Sequence, residues 1–199
     1  MIKVIIFDFD GVIINEYQAH FELSKKQITG LTEDEFKRLF EGNIHSEREK
    51  LKSRDTGFDI KYHFDEHKKK VIIPEKTRVV LRALSKKFIL GIISSAKESG
   101  AIECLKNSHL EGVFSFIYGF ETHKLKTEKF DVALKNNKIS KDECVFVTDT
   151  LGDILEAAKM GIRTIAVDYG YHDTKTLSKG NPIKIISSLS ELGESIEQL

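Results

Sequence analysis

A doubly wound parallel α/β sheet with a small α-helical insert is the fold the sequence predicts, and three observations predict it. Five short apolar runs recur: VIIF (4–7), FILGII (88–93), VFSFIY (113–118), CVFV (144–147) and TIAV (164–167). They are continuous rather than alternating, which is the pattern of strands buried on both faces. Helix signals separate them from residue 74 to 168, and with right-handed crossovers this order gives a parallel sheet covered on both sides. The third observation is a gap of about 60 residues between the first run and the helix signal at Pro74, far more than one crossover needs.

The elements follow in order. The run from Val4 is the first strand. The long gap has its own helix grammar: Tyr17, His20, Phe21 and Ser24 share a face at helical spacing, and Thr32-x-x-Glu35 reads as a capping box leading into Phe36, Leu39 and Phe40. Residues 15–72 are therefore expected to form a helical cap, with 1–14 and 73–199 forming the α/β core. Pro74 sits where a first helical turn begins, and Ser95-x-x-Glu98 reads as another capping box. Gly161 follows Ala157, Ala158 and Met160 where a C-terminal cap belongs. PIKII (182–186) and Ser188-x-x-Glu191 predict a last short strand and a closing helix.

Composition narrows the function classes. A chain of 199 residues that is 40% apolar can bury one good core plus a modest insert. Its 31 basic and 31 acidic residues cancel, so no global field favours nucleic acid or an anionic membrane. Cys104 and Cys144 are too few for a disulfide framework and lack metal-binding spacing, so buried thiols in a reducing, cytoplasmic setting are expected. No cleavable leader and no apolar stretch of roughly 20 residues is evident. Composition and charge leave the oligomeric state open.

In open α/β sheets the ligand crevice lies beyond the carboxyl ends of the strands. The first strand there ends in Asp8 and Asp10, within an apolar run where unpaired carboxylates cost several kcal/mol. The second ends in Ser94 and Ser95, the segment after the third leads to Lys124 and Lys126, and the fourth ends in Asp149 with Asp153 four residues on. Magnesium takes hard oxygen ligands, often one or two carboxylates, and Asp8 with Asp149 supply them. Lys124 and the metal offset phosphate charge, and Ser94 donates to a phosphoryl oxygen. Side chains at i and i+2 of an extended chain point the same way. Asp8 can then attack phosphorus to form an aspartyl-phosphate, while Asp10 protonates the leaving oxygen and afterwards activates water.

DFDGV after an apolar strand, Ser at the second strand end, a downstream Lys and Asp-x-x-x-Asp after the fourth strand resemble the four motifs of the haloacid dehalogenase-like superfamily of phosphohydrolases. The resemblance spans nearly the whole chain, and the helical segment is similar to that family's cap. It implies that Asp8 is the nucleophile and that Asp10 is the acid/base, which also offers its main-chain carbonyl to magnesium. Ser94 is implied as the phosphate-binding hydroxyl, Asp149 as a metal ligand and Asp153 as the residue that orients the metal's water shell. Ungapped comparison puts the motif lysine at Lys124, with Lys126 as the alternative. Ser95 and Lys126 are assigned to substrate binding, against plainer readings of Ser95 as a helix cap and Lys126 as a solvated charge. The pattern is departed from at Thr148 (commonly Gly), Leu125 (often Pro) and Asn15-Glu16 (often Asp-Ser or Asp-Thr).

The expected activity is magnesium-dependent hydrolysis of a small phosphorylated metabolite. A phosphomutase of the same fold and a non-catalytic phospho-binding regulatory module are the alternatives. HFDEH (63–67) matches a zinc-protease pattern but lacks a third ligand, so a solvated cap helix is the better reading. Lys68, Lys69 and Lys70 read as a polar face from which one lysine can reach an anionic substrate. Phe21, Phe36, Phe40 and Phe64 read as cap core.

Overall fold

The computed structural model describes residues 1–198; Leu199, the last residue of the expected core segment, lies outside the described residues. Strands β1 (Val4–Phe7), β2 (Ile89–Ile93), β3 (Phe116–Tyr118), β4 (Cys144–Thr148), β5 (Arg163–Val167) and β6 (Lys184–Ile186) make one sheet. Their order is β3-β2-β1-β4-β5-β6, with every pairing parallel. Alternation within each strand divides the core. Ile5, Phe7, Val145 and Val147 face one side, and Val4, Ile6, Cys144 and Phe146 face the other.

Helices cover both faces. On the first side α5 (Glu75–Ser85), α6 (Glu98–Asn107) and α10 (Leu192–Glu197) contribute Leu81, Leu84, Ala101, Cys104, Leu105, Leu192 and Ile196. On the second, α7 (Lys126–Asn137) and α8 (Leu151–Lys159) contribute Phe130, Ala133 and Ala157. Phe130 meets Phe146 edge-on at 5.1 Å and 83°, a contact worth about 1 kcal/mol beyond burial. The short α9 (Thr174–Ser178) adds Leu177 beside Ile154 and Ala166. Among the described residues no helix is long and apolar enough to cross a membrane. Both cysteines are buried and free.

Helices α1 (Tyr17–Gln27), α2 (Glu33–Arg38), α3 (Ile44–Glu49) and α4 (Ile60–Lys68) form the insert. Ile28, Leu31, Phe36 and Leu39 are its buried core, with Tyr17, Phe21 and Phe40 packed against them. The Thr32–Glu35 capping box forms as expected. Arg54 fastens the turn after α3 through a bidentate pair with Glu35, at 2.8 and 3.1 Å. The insert's two ends meet where His67 of α4 pairs with Glu16 at the entry to α1. Asn43 caps α3 and reaches Glu156 of α8 at 3.2 Å, joining the insert to the core's helical layer.

Several local expectations are corrected. Ser95 caps no helix: α6 begins at Glu98 with Lys97 as its N-cap, because the Glu98 carboxylate accepts instead from Gly119 N (2.8 Å) and Thr122 Oγ1 (2.7 Å). The third strand is shorter than VFSFIY, since Phe114 leaves the ladder to pack edge-on against Phe7. Ser188 caps a 3-10 turn, and Glu191 accepts from Ser187 N rather than closing a box on Ser188. Gly161 does cap α8, in the left-handed region at φ +68°.

Candidate active site

The strand order reverses beside β1: the chain moves outward from β1 through β2 to β3, then returns to place β4 on the other side of β1. Ligands bind at such a switch point. Asp8 follows β1 and Asp149 follows β4, so the topology sets these two carboxylates on neighbouring strand ends.

The loop after β1 holds the acids in fixed poses. Asp8 donates its N–H to Val147 O (2.8 Å), and its Oδ1 accepts from Phe9 N (2.7 Å). Gly11 then turns the chain at φ +85°, and a Cβ there would lie 1.9 Å from Asp149 Oδ2. Both the backbone conformation and the space require glycine. Asp149 Oδ2 accepts from Tyr171 N (2.8 Å), which fixes that carboxylate from the loop after β5.

Lys126 is the lysine the structure brings to the acids. Its Nζ stands 2.9 Å from Asp8 Oδ2 and 2.6 Å from Asp153 Oδ2, and the side chain is 1% exposed. It is therefore not a solvated surface charge. Lys124 is exposed on the preceding turn; it also lines the cavity, but its recorded hydrogen bond is through its carbonyl, to Asn43. Thr148, where the family pattern has glycine, donates to Asp153 Oδ2 at 2.7 Å and completes that carboxylate's environment.

Asp10 takes a different partner, since Lys68 of α4 donates to its Oδ2 at 2.7 Å. Lys68 is 1% exposed, over the rings of Phe64 (4.7 Å) and Phe9 (5.4 Å), so it is no part of a polar face. Ser94 is buried at the end of β2; its Oγ accepts from Ala96 N (3.1 Å) and its carbonyl accepts from the buried Lys129. Ser95 is partly buried and lines the same cavity.

That cavity, about 450 Å³, lies between the strand ends and the insert and is partly open to solvent. The α/β core supplies Asp8, Asp10, Ser94 and Lys126, and the insert supplies His20, Arg48 and others. Phe40 and Phe64 also line it, so the aromatic residues of the insert divide between its core and the cavity wall. The histidines of HFDEH do not converge: His63 stacks on Phe58 at 4.4 Å, while His67 pairs with Glu16.

Electrostatics follow from burial. The Asp8 carboxyl is pushed up to about 7, by desolvation first, against the pull of Lys126. Asp149 is driven well above the carboxylate range by burial and then by the charge of Asp8. Burial also works to raise Asp153, but Lys126 and the hydrogen bonds it accepts hold it below its ordinary value. Burial lowers the Lys129 ammonium to about 8, helped by neighbouring Lys126.

Asp8 raises Asp149, and Asp149 Oδ1 and Asp10 Oδ1 are buried and, among the described residues, unpartnered; together these carboxylates are a hard-oxygen donor set short of positive charge. Among the described residues no three His, Cys, Asp or Glu side chains cluster as metal ligands. A magnesium ion needs only one or two carboxylates, so the residues present fit that ion.

The haloacid dehalogenase-like hydrolase family model matches residues 5–167. A Clostridium perfringens protein bearing the name pyrophosphatase PpaX is 25% identical over all of this chain and 99% of its own length. A Pseudomonas fluorescens phosphoglycolate phosphatase is 26% identical over 64% of this chain and 48% of its own length. Among solved structures, a hydrolase from Pseudomonas syringae superposes with TM-score 0.81 at 18% identity, covering 99% of both chains. A haloacid dehalogenase-like family protein from Streptococcus pneumoniae does so with TM-score 0.79 at 19% identity, covering 98% of both.

Proposed function

We propose, from the premise that this chain belongs to the haloacid dehalogenase-like hydrolase family, that it is a magnesium-dependent phosphatase of a small phosphorylated metabolite. The observation that carries this reading is the Asp8–Lys126–Asp153 arrangement beside Asp149 at the switch point. The relatives named for pyrophosphate and phosphoglycolate hydrolysis support a phosphate-bearing substrate, and a cavity of about 450 Å³ favours a small one.

Asp8 and Asp149 would hold the ion, with the Asp10 carbonyl and Asp153 around it. When bound, it supplies positive charge to the phosphoryl oxygens. An Asp8 carboxylate oxygen attacks phosphorus, the ester P–O bond breaks, and the leaving oxygen takes the Asp10 carboxyl proton. Asp10, now a carboxylate, then removes a proton from water. The water oxygen bonds to phosphorus as the P–O bond to Asp8 breaks, which releases inorganic phosphate and restores both acids. Lys126 fixes the attacking carboxylate and offsets charge, Ser94 binds a phosphoryl oxygen, and the insert excludes bulk water.

The test is hydrolysis of p-nitrophenyl phosphate and a panel of metabolite phosphates, with magnesium and with chelator, by wild type and Asp8→Asn. Magnesium-dependent turnover that Asp8→Asn lowers by about a thousandfold or more is expected. Turnover indifferent to chelator, or none across the panel, overturns the reading.

A further inference from the structure

The wall of the cavity opposite the strand ends contains a cation that, among the described residues, has no direct ion-pair partner. Helix α3 carries His45 and Arg48, three residues apart and so on one face, and both line the cavity. Arg48 donates from Nη1 to Gln27 Oε1 (2.8 Å) and from Nη2 to His20 Nε2 (2.9 Å) and Ser24 Oγ (3.1 Å). Every one of these partners is neutral. Asp55, whose field reaches Arg48, is engaged by Gln27 Nε2 (3.2 Å) and Gly57 N (2.7 Å) instead. Among the described residues Arg48 forms no ion pair.

Its Nε is buried with no acceptor, and His45 Nε2 is buried with no hydrogen-bond partner. A guanidinium has five N–H donors in a planar fork suited to carboxylate or phosphate. Three are used, which leaves Nε–H and one more. The contrast within the insert is Arg54, whose fork is filled by Glu35. Arg48 is partly buried, and a guanidinium donor shielded from water without an acceptor carries a desolvation penalty that a bound anion relieves.

A further donor faces the same space. Arg48 can only donate, so His20 Nε2 accepts; Nδ1–H of His20 then donates to Tyr171 Oη at 3.0 Å. The Tyr171 hydroxyl proton is left for another acceptor in the cavity it lines.

We propose that Arg48, assisted by His45 and the Tyr171 hydroxyl, is a second oxyanion subsite that holds a carboxylate or phosphate at the end of the substrate remote from the scissile phosphoryl group. The position of the scissile group rests on the phosphatase reading above; the subsite itself rests on Arg48. Substrates are then short-chain phosphates with a second anion, not neutral esters.

The test is calorimetry with non-hydrolysable probes, so that it does not depend on turnover. Phosphonocarboxylates from phosphonoacetate to 6-phosphonohexanoate, and the corresponding bisphosphonates, are titrated in the presence of magnesium against alkylphosphonates of equal carbon number. At the chain length that fits, the doubly anionic probe is expected to bind about tenfold tighter, the yield of one charge-assisted pairing. The two probe series identify which second anion is preferred. Arg48→Gln is expected to bring the ratio to about 1, and Arg48→Lys to retain part of it. A wild-type ratio below about fivefold at every length, absence of binding included, overturns the proposal, as does a ratio that survives Arg48→Gln. If the ratio holds while no phosphate ester is turned over, the phosphatase reading falls and the subsite stands.

Discussion

Lys68 of the insert donates to Asp10 across 2.7 Å, and neither side chain is more than 14% exposed. The acid proposed to protonate the leaving group is therefore held by a residue that arrives from outside the sheet. Lys68→Met strips a largely buried carboxylate of its counter-charge. We expect a stability loss of about 3 kcal/mol, read by urea denaturation, together with about a tenfold or greater fall in kcat. A variant as stable and as active as wild type would show that the pair has no part in placing Asp10.

Lys126 and Lys124 are separable by substitution. Lys126→Ala leaves Asp8 and Asp153 facing each other without the ammonium between them. It is expected to lower turnover about a thousandfold, while the exposed Lys124→Ala stays within about 0.5 kcal/mol of wild-type stability and keeps most activity. The reverse ranking in a hydrolysis assay would return the role to Lys124.

At Gly11, alanine meets both a positive φ and an Asp149 oxygen 1.9 Å from its Cβ. Gly11→Ala is expected to cost about 2 kcal/mol or more and to abolish magnesium-dependent turnover. The paired measurements are a thermal melt and an assay; a wild-type Tm would mean the loop re-forms around the methyl group.

His20 gives a pH signature. Burial first, then the charges of Arg48 and Lys68, hold it well below its ordinary pKa. The unfolded chain takes up a proton near pH 6.5 that the folded chain refuses, so this contribution is complete above pH 6.5 and is lost as pH falls below it. Asp8 acts in the opposite sense: its carboxyl is pushed up to about 7 by burial, so its contribution grows as pH falls from 7 toward 4. Subtraction isolates the histidine. The penalty of His20→Gln, measured by urea denaturation, is expected to be about 1 kcal/mol smaller at pH 5.5 than at pH 7.5. Equal penalties would mean that His20 titrates normally in the fold.

The sheet was legible because its strands are buried on both faces, which leaves nothing but apolar residues in runs such as VIIF and CVFV. The strand ends were legible because carboxylates there stand out against that background. Lys126 was harder, since a lysine beside Lys124 and Thr127 looks like surface. A signal was present all the same: Lys126, Lys129, Phe130 and Ala133 fall on one helical face, and all four are buried in α7. Ile60, Phe64 and Lys68 form the same kind of stripe on α4. A lysine in register with an apolar stripe is a lysine directed inward. The Ser95 cap failed for a reason that local pattern cannot reveal, because Gly119 and Thr122 claim the Glu98 carboxylate from 21 and 24 residues away.

The Glu16–His67 junction closes the insert into a loop with a narrow neck. The entropy of closing a flexible loop rises only with the logarithm of its length, so the neck makes the intervening segment an interchangeable cassette. What lies between those two residues can therefore differ in length or sequence without re-registering a strand beneath it.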